Sequence, residues 1–135
     1  MIVVDSSALV AILLQENEAK ALIETITADP HPVMSAPTYV ELFAVLERKL
    51  TPQDIGRFER LLDKWKIVVH PFTPHQAQLA RAAYRDYGKG SGHKAGLNLG
   101  DTYSYALAKD LDVPLLFKGQ DFIHTDLRPA LVNQN

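Results

Sequence analysis

The sequence has 135 residues, of which 47% are hydrophobic, which suits one globular domain with a proper core. It contains no cysteine, and this excludes disulfides and thiolate metal sites. Its formal net charge is −2 at pH 7, so no protein-wide positive field would attract nucleic acid, and any such contact must use a local basic patch.

Nothing in the chain predicts a membrane or secreted protein. No apolar run approaches the roughly 20 residues that a membrane-spanning helix needs. The first residues, Met1 to Asp5, have no basic segment and reach an acid too early for a signal peptide. We therefore expect a single domain over residues 1–135, located in the cytoplasm and without membrane contact.

Short apolar runs alternate along the chain with longer amphipathic stretches, a pattern typical of α/β proteins. The runs that predict strands are residues 2–4, 33–35, 67–69 and 115–117, with a possible short edge strand at 127–132. The stretches that predict helices are residues 8–14, 16–27, 38–49, 51–65, 73–87 and a last helix that begins at Asn98 or Gly100. Such alternation predicts a mostly parallel sheet with helices on both faces.

Four acidic residues fall near the predicted carboxyl ends of strands. Asp5, Asp101 and Asp121 follow or adjoin such ends, and Glu41 lies in the first turn of a helix that follows another strand. A doubly wound sheet brings these ends together. Because crowded carboxylates repel one another, such a cluster needs protons or a cation, and oxygen ligands suit Mg²⁺ or Mn²⁺.

Each of three acids also has a purely structural interpretation, which the local sequence leaves open. Asp5 can cap the helix that follows it. Asp101 can interact with the amides and the dipole at a helix start. Thr38 and Glu41 have the spacing of a capping box.

Two other acid-based sites fit the sequence less well. A phosphatase of the haloacid dehalogenase type needs a second Asp at position 7, where this chain has Ser7. A response-regulator receiver needs an acidic pair at the end of the first strand, where there is only Asp5. The pattern favours a metal-dependent phosphodiester hydrolase, in which the ion polarises a phosphoryl oxygen and activates water.

Residues 88–98 form a glycine-rich loop that carries Lys89, His93 and Lys94. Glycines let backbone amides approach a phosphate, so the loop is either a phosphate contact or a flexible connection with solvated charges. It is not a Walker motif, because Gly90 follows Lys89 in place of Ser or Thr.

Over nearly its whole length the chain resembles PIN-domain ribonucleases of the VapC toxin type, from bacterial type II (VapBC) toxin–antitoxin systems. The resemblance is carried by the order and spacing of four stretches, which are IVVDSSAL at 2–9, YVEL at 39–42, AGLNLGD at 95–101 and PLLFKGQDF at 114–122. It implies a three-layer α/β/α fold, Mg²⁺- or Mn²⁺-dependent RNA cleavage, a homodimer and neutralisation by a VapB-type antitoxin.

By position, Asp5 and Asp101 match the metal ligands of this family, Glu41 matches its third acid and Asp121 its fourth. Many relatives have an acid or Asn two positions before Asp121, where this chain has Gly119. The role of Asp121 is therefore open: it binds a second metal, acts through water or only orders its loop.

From the sequence we expect an endoribonuclease in which Asp5, Glu41, Asp101 and Asp121 are catalytic and hold one or two Mg²⁺ or Mn²⁺ ions. We expect an RNA substrate, such as tRNA or another structured RNA, to be contacted by Ser7, Lys89, His93, Lys94 and Lys118. The alternatives are a low-turnover module that binds RNA or a partner, and a metal-dependent phosphatase or DNA nuclease.

Overall fold

The computed structural model describes residues 1–131. Within this range the strands are β1 (Ile2–Val4), β2 (Pro32–Ser35), β3 (Val68–His70) and β4 (Leu115–Leu116). The helices are α1 (Ser6–Leu13), α2 (Ala19–Ala28), α3 (Ala36–Lys49), α4 (Pro52–Lys64), α5 (Pro74–Tyr87) and α6 (Asp101–Leu111), followed by a 3-10 turn at Phe122–His124. No helix in the described part of the chain is long and apolar enough to cross a membrane.

The four strands form one sheet in the order β3-β2-β1-β4, and every pairing is parallel. The register places Val3 beside Val33 on one side and beside Leu115 on the other. β1 is therefore an inner strand, which agrees with its uninterrupted burial. Because all strands run the same way, their carboxyl ends share one edge of the sheet.

Helices cover both faces of this sheet. Ile2 and Val4 point to one face and pack with buried side chains of α1 to α4, whereas Val3 points to the other and packs with those of α5 and α6. This alternation is the two-residue period of a strand. The fold is the three-layer α/β/α arrangement that the sequence predicts.

Two local predictions differ from the structure. α3 begins at Ala36 with Ser35 at its N-cap, so Thr38 lies inside the helix and the predicted capping box with Glu41 is wrong. Glu41 is accordingly in the second turn and not the first. The possible edge strand at 127–132 is reduced to an isolated bridge between Pro129 and Leu115, and position 132 lies outside the described residues.

Candidate active site

Asp5, Glu41 and Asp101 line one open cleft of about 200 Å³ at the carboxyl edge of the sheet. We call this the acidic cleft. Its other lining residues are Ser6, Val10, Leu42, Val45, Asn98 and Gly100. The structure thus brings together three acids that are far apart in the sequence, as the strand-end argument predicts.

Asp5 is fixed by groups from two different elements. It follows β1 and is the N-cap of α1, where its Oδ2 accepts a hydrogen bond of 3.0 Å from the backbone N–H of Ser7. Its Oδ1 accepts a hydrogen bond from Oγ of Ser104, a buried residue of α6. Asp5 is only 4% exposed, so these donors replace much of the water that a carboxylate needs. The capping and functional interpretations of Asp5 are therefore compatible.

Ser104 is a residue of the site that the sequence analysis missed. Its hydroxyl hydrogen points to Asp5, so the neighbouring Oγ1 of Thr38, at 3.4 Å, is left to donate to it. Thr38 and Ser104 are both buried, and together they connect α3 and α6 to the end of β1. Its spacing in the sequence could have indicated it, because Ser104 lies three residues after Asp101 and therefore shares its side of the helix.

Asp101 is the first residue of α6 and is held by a reciprocal pair of hydrogen bonds. Its N–H donates to Oδ1 of Asn98 at 2.8 Å, and its Oδ2 accepts from the N–H of Asn98 at 3.0 Å. Asn98 thus caps the first turn while the carboxylate of Asp101 is held in a single orientation. Its second oxygen, Oδ1, makes no hydrogen bond within the described residues.

Burial and the neighbouring charges disfavour the ionised forms of Asp101 and Glu41. Burial raises the pKa of Asp101 to about 6, and the charges of Asp5, Asp121 and Glu41 add to that rise. Burial, and then the charge of Asp5, also raises the pKa of Glu41. Within residues 1–131, no Lys, Arg or His forms an ion pair with Asp5, Glu41 or Asp101. This excess of negative charge favours binding of a cation.

The donor chemistry of the cleft fits a hard divalent cation, since carboxylate oxygens are the ligands that Mg²⁺ and Mn²⁺ prefer. Among residues 1–131, however, no three His, Asp or Glu side chains are already arranged to hold a metal ion. Mg²⁺ keeps several waters and is commonly bound through one or two carboxylates plus a phosphate. The side chains therefore fit such an open site better than a closed cage.

Asp121 lies outside the lining of the acidic cleft. It is exposed and precedes the 3-10 turn, where its side chain makes no capping hydrogen bond. Its charge nevertheless contributes to the raised pKa of Asp101, so it lies within electrostatic range. Gly119 has a φ of +112°, which an acidic residue would adopt only with strain.

The residues expected to contact RNA differ in whether their side chains are exposed or already hydrogen-bonded. Oγ of Ser7 accepts a hydrogen bond of 3.1 Å from the N–H of Lys118, which ties the start of α1 to the end of β4. The Lys118 ammonium is 2.8 Å from Oε1 of Glu18, so this cation is already paired. Lys89 and Lys94 are exposed.

His93 shapes the glycine-rich loop. Its Nδ1 accepts a hydrogen bond of 3.0 Å from the N–H of Ala95, and its ring contacts that of Tyr87 edge-on at 4.9 Å. The loop is closed at its base, where the N–H of Lys89 donates to the carbonyl of Leu97. The loop is therefore an ordered structure that presents Lys89 and Lys94 on its surface.

Comparisons with known proteins agree with this fold. The family model for the PIN domain matches residues 2–127. Ribonuclease VapC42 of Mycobacterium tuberculosis is 53% identical over 128 residues, which cover 95% of this chain and 98% of that protein. Ribonuclease VapC28 of the same species is 46% identical over 129 residues, covering 96% of this chain and 97% of that protein.

Two solved structures share the fold at low sequence identity. Mycobacterium tuberculosis VapC20, a sarcin–ricin-loop-cleaving toxin, superposes with a TM-score of 0.68 at 16% identity, covering 96% of this chain and 100% of that one. A chain of a toxin–antitoxin complex from Klebsiella pneumoniae superposes with a TM-score of 0.64 at 18% identity, covering 90% of each chain.

Proposed function

Because the chain belongs to the PIN-domain family of VapC-type ribonuclease toxins, we propose that it cleaves RNA at the acidic cleft with the help of a divalent cation. The observation that carries this proposal is the convergence of Asp5, Glu41 and Asp101 on one cleft, where burial and the neighbouring acids raise the pKa values of Glu41 and Asp101. Such a cluster is electrostatically costly, and a bound cation would relieve that cost.

In this proposal, Asp5 and Asp101 would hold Mg²⁺ or Mn²⁺, and Glu41 would serve as a further ligand or as a base for water. When bound, the ion supplies Lewis acidity towards a phosphoryl oxygen and lowers the pKa of a coordinated water. Asp5 is suited to its role because Ser7 and Ser104 fix both of its oxygens. Asp101 is suited because Asn98 holds one oxygen and leaves the other available.

The raised pKa of Glu41 suits it to accept a proton from the attacking water at the rim of the cleft. Since water attacks in place of the ribose 2′-hydroxyl, the products would carry a 5′-phosphate and a 3′-hydroxyl. Asp121 would act through its charge on Asp101, or through water, because it does not line the cleft.

The substrate would be tRNA or another structured RNA, with its backbone against the exposed cations Lys89 and Lys94 of the glycine-rich loop. His93 would serve mainly to hold this loop, and Lys118 would reach RNA only after leaving Glu18. As partners we propose a VapB-type antitoxin and a second copy of the chain as a homodimer. We expect the protein to act in the cytoplasm, where such RNA is found.

The test uses purified, antitoxin-free protein with total RNA, a panel of tRNAs and a sarcin–ricin-loop RNA, each with Mg²⁺, Mn²⁺ or EDTA. We expect discrete fragments with 5′-phosphate ends that disappear with EDTA and in Asp101→Asn. Cleavage that survives Asp101→Asn or Asp5→Asn would refute the site. Absence of both cleavage and Mn²⁺ binding in the wild type would favour the low-turnover binding module. Cleavage of DNA or phosphate monoesters in preference to RNA would favour a metal-dependent DNA nuclease or phosphatase.

A further inference from the structure

Gly100 is a glycine whose backbone does not require glycine. It directly precedes Asp101 at the start of α6, with φ of −60° and ψ of −36°. These are ordinary right-handed helical angles, which any residue adopts without strain. The other glycines around the site differ, since Gly96 and Gly119 have positive φ values of 57° and 112°. The reason for a glycine at position 100 therefore lies in its neighbours.

The neighbour is the carboxylate of Glu41. A Cβ built on Gly100 would lie 2.8 Å from Oε1 and 2.9 Å from Oε2 of Glu41, and 3.2 Å from its Cδ. Real Cβ atoms essentially never make contacts below 3.0 Å. The carboxylate of α3 thus occupies the space that any side chain at position 100 would need.

We propose that Gly100 is a positioning residue for Glu41: the missing side chain lets the Glu41 carboxylate reach the same end of the acidic cleft as Asp101. This inference rests on the proposed function, since the position of Glu41 matters only if the cleft binds a cation and cleaves RNA. The carboxylate is the free end of a flexible and exposed side chain, so a methyl group at position 100 would displace it towards solvent without disturbing the fold.

Gly100→Ala and Gly56→Ala form a matched pair. Gly56 lies within α4, and a Cβ there would meet only Nη1 of Arg60, at an ordinary 3.4 Å. Gly56 lies inside α4 and Gly100 is the N-cap of α6 with helical angles, so alanine strains the backbone at neither position. Both variants should therefore be folded in EDTA, with unfolding temperatures close to that of the wild type. Only Gly100→Ala should weaken Mn²⁺ binding, measured on RNA-free protein by calorimetry, and lower kcat, each by about tenfold.

The dependence on Glu41 is tested by a double-mutant cycle. In a Glu41→Ala background, Gly100→Ala should change Mn²⁺ affinity and kcat by less than about twofold, because no carboxylate remains to displace. A large further loss of Mn²⁺ affinity or kcat when Gly100→Ala is added to Glu41→Ala would overturn the inference. It would show that the alanine at this position acts on a group other than Glu41.

The two proposals fail in different ways. A wild type that cleaves RNA and binds Mn²⁺, alongside a Gly100→Ala variant equal to it, would overturn the role of Gly100 alone. A wild type that neither binds Mn²⁺ nor cleaves RNA would overturn the proposed function, and the role of Gly100 would fall with it.

Discussion

Replacing Asp101 by Asn should make the metal-free protein more stable while it abolishes cleavage. Burial, with added repulsion from Asp5, Asp121 and Glu41, raises the pKa of Asp101 from 3.8 to about 6. A shift of about two units corresponds to about 3 kcal/mol when the carboxyl ionises in the folded state. Since part of the side chain contacts water, screening reduces this to about 1–2 kcal/mol.

The sign of the pH dependence follows from the direction of the shift. Between about pH 4 and about pH 6 the folded protein keeps the Asp101 proton that the unfolded chain has lost, so wild-type stability falls as the pH rises. Above about pH 6 the full cost is present. In Asp101→Asn the side chain at this position does not titrate, so it contributes no such pH dependence. Its amide oxygen can still accept the hydrogen bond from the N–H of Asn98.

The assay is thermal unfolding in EDTA, followed by circular dichroism at about pH 4 and about pH 8. For a chain of this size we expect Asp101→Asn to unfold about 3–10 °C above the wild type at the higher pH and close to it at the lower. Asp86→Asn is the control of opposite sign, because a hydrogen bond from Arg85 lowers the pKa of Asp86. Equal stability of wild type and Asp101→Asn at about pH 8, or a difference that does not change with pH, would show that ionisation of Asp101 does not destabilise the folded protein.

Three further outcomes are expected. Ser104→Ala removes the buried donor to Asp5, so we expect a loss of about 1.5–3 kcal/mol in unfolding free energy and about a tenfold lower kcat. A kcat of this variant equal to that of the wild type would contradict the prediction. In RNA-binding titrations at several salt concentrations, Lys94→Ala should lower the salt dependence of the affinity by an amount equal to about one phosphate contact. Lys118→Ala should lower it less, because Lys118 is paired with Glu18. Mn²⁺ should raise the unfolding temperature of the wild type more than that of Asp101→Asn, and an equal rise would place the ion elsewhere.

The elements of the fold were largely readable from the sequence, because strands and helices have distinct hydrophobic periods. The run of residues 2–4 predicts a strand, and the structure pairs this strand on both sides through Val3. The carboxyl-end rule for parallel sheets also predicts that Asp5 and Asp101 lie close together, and both line the acidic cleft. These inferences depend only on local pattern and on a general rule of topology.

The sequence pattern is sufficient to predict the α/β class, the parallel sheet and the convergence of Asp5, Glu41 and Asp101 at its edge. The position of Thr38, which is buried beside Ser104 and does not cap a helix with Glu41, depends on tertiary packing, because the start of α3 is set by the end of β2. Only the tertiary structure shows that Ser104 holds Asp5, and that the Glu41 carboxylate fills the space beside Gly100. Such contacts join groups up to 99 residues apart in the chain. Their geometry follows from how helices pack across the sheet, which no local pattern encodes.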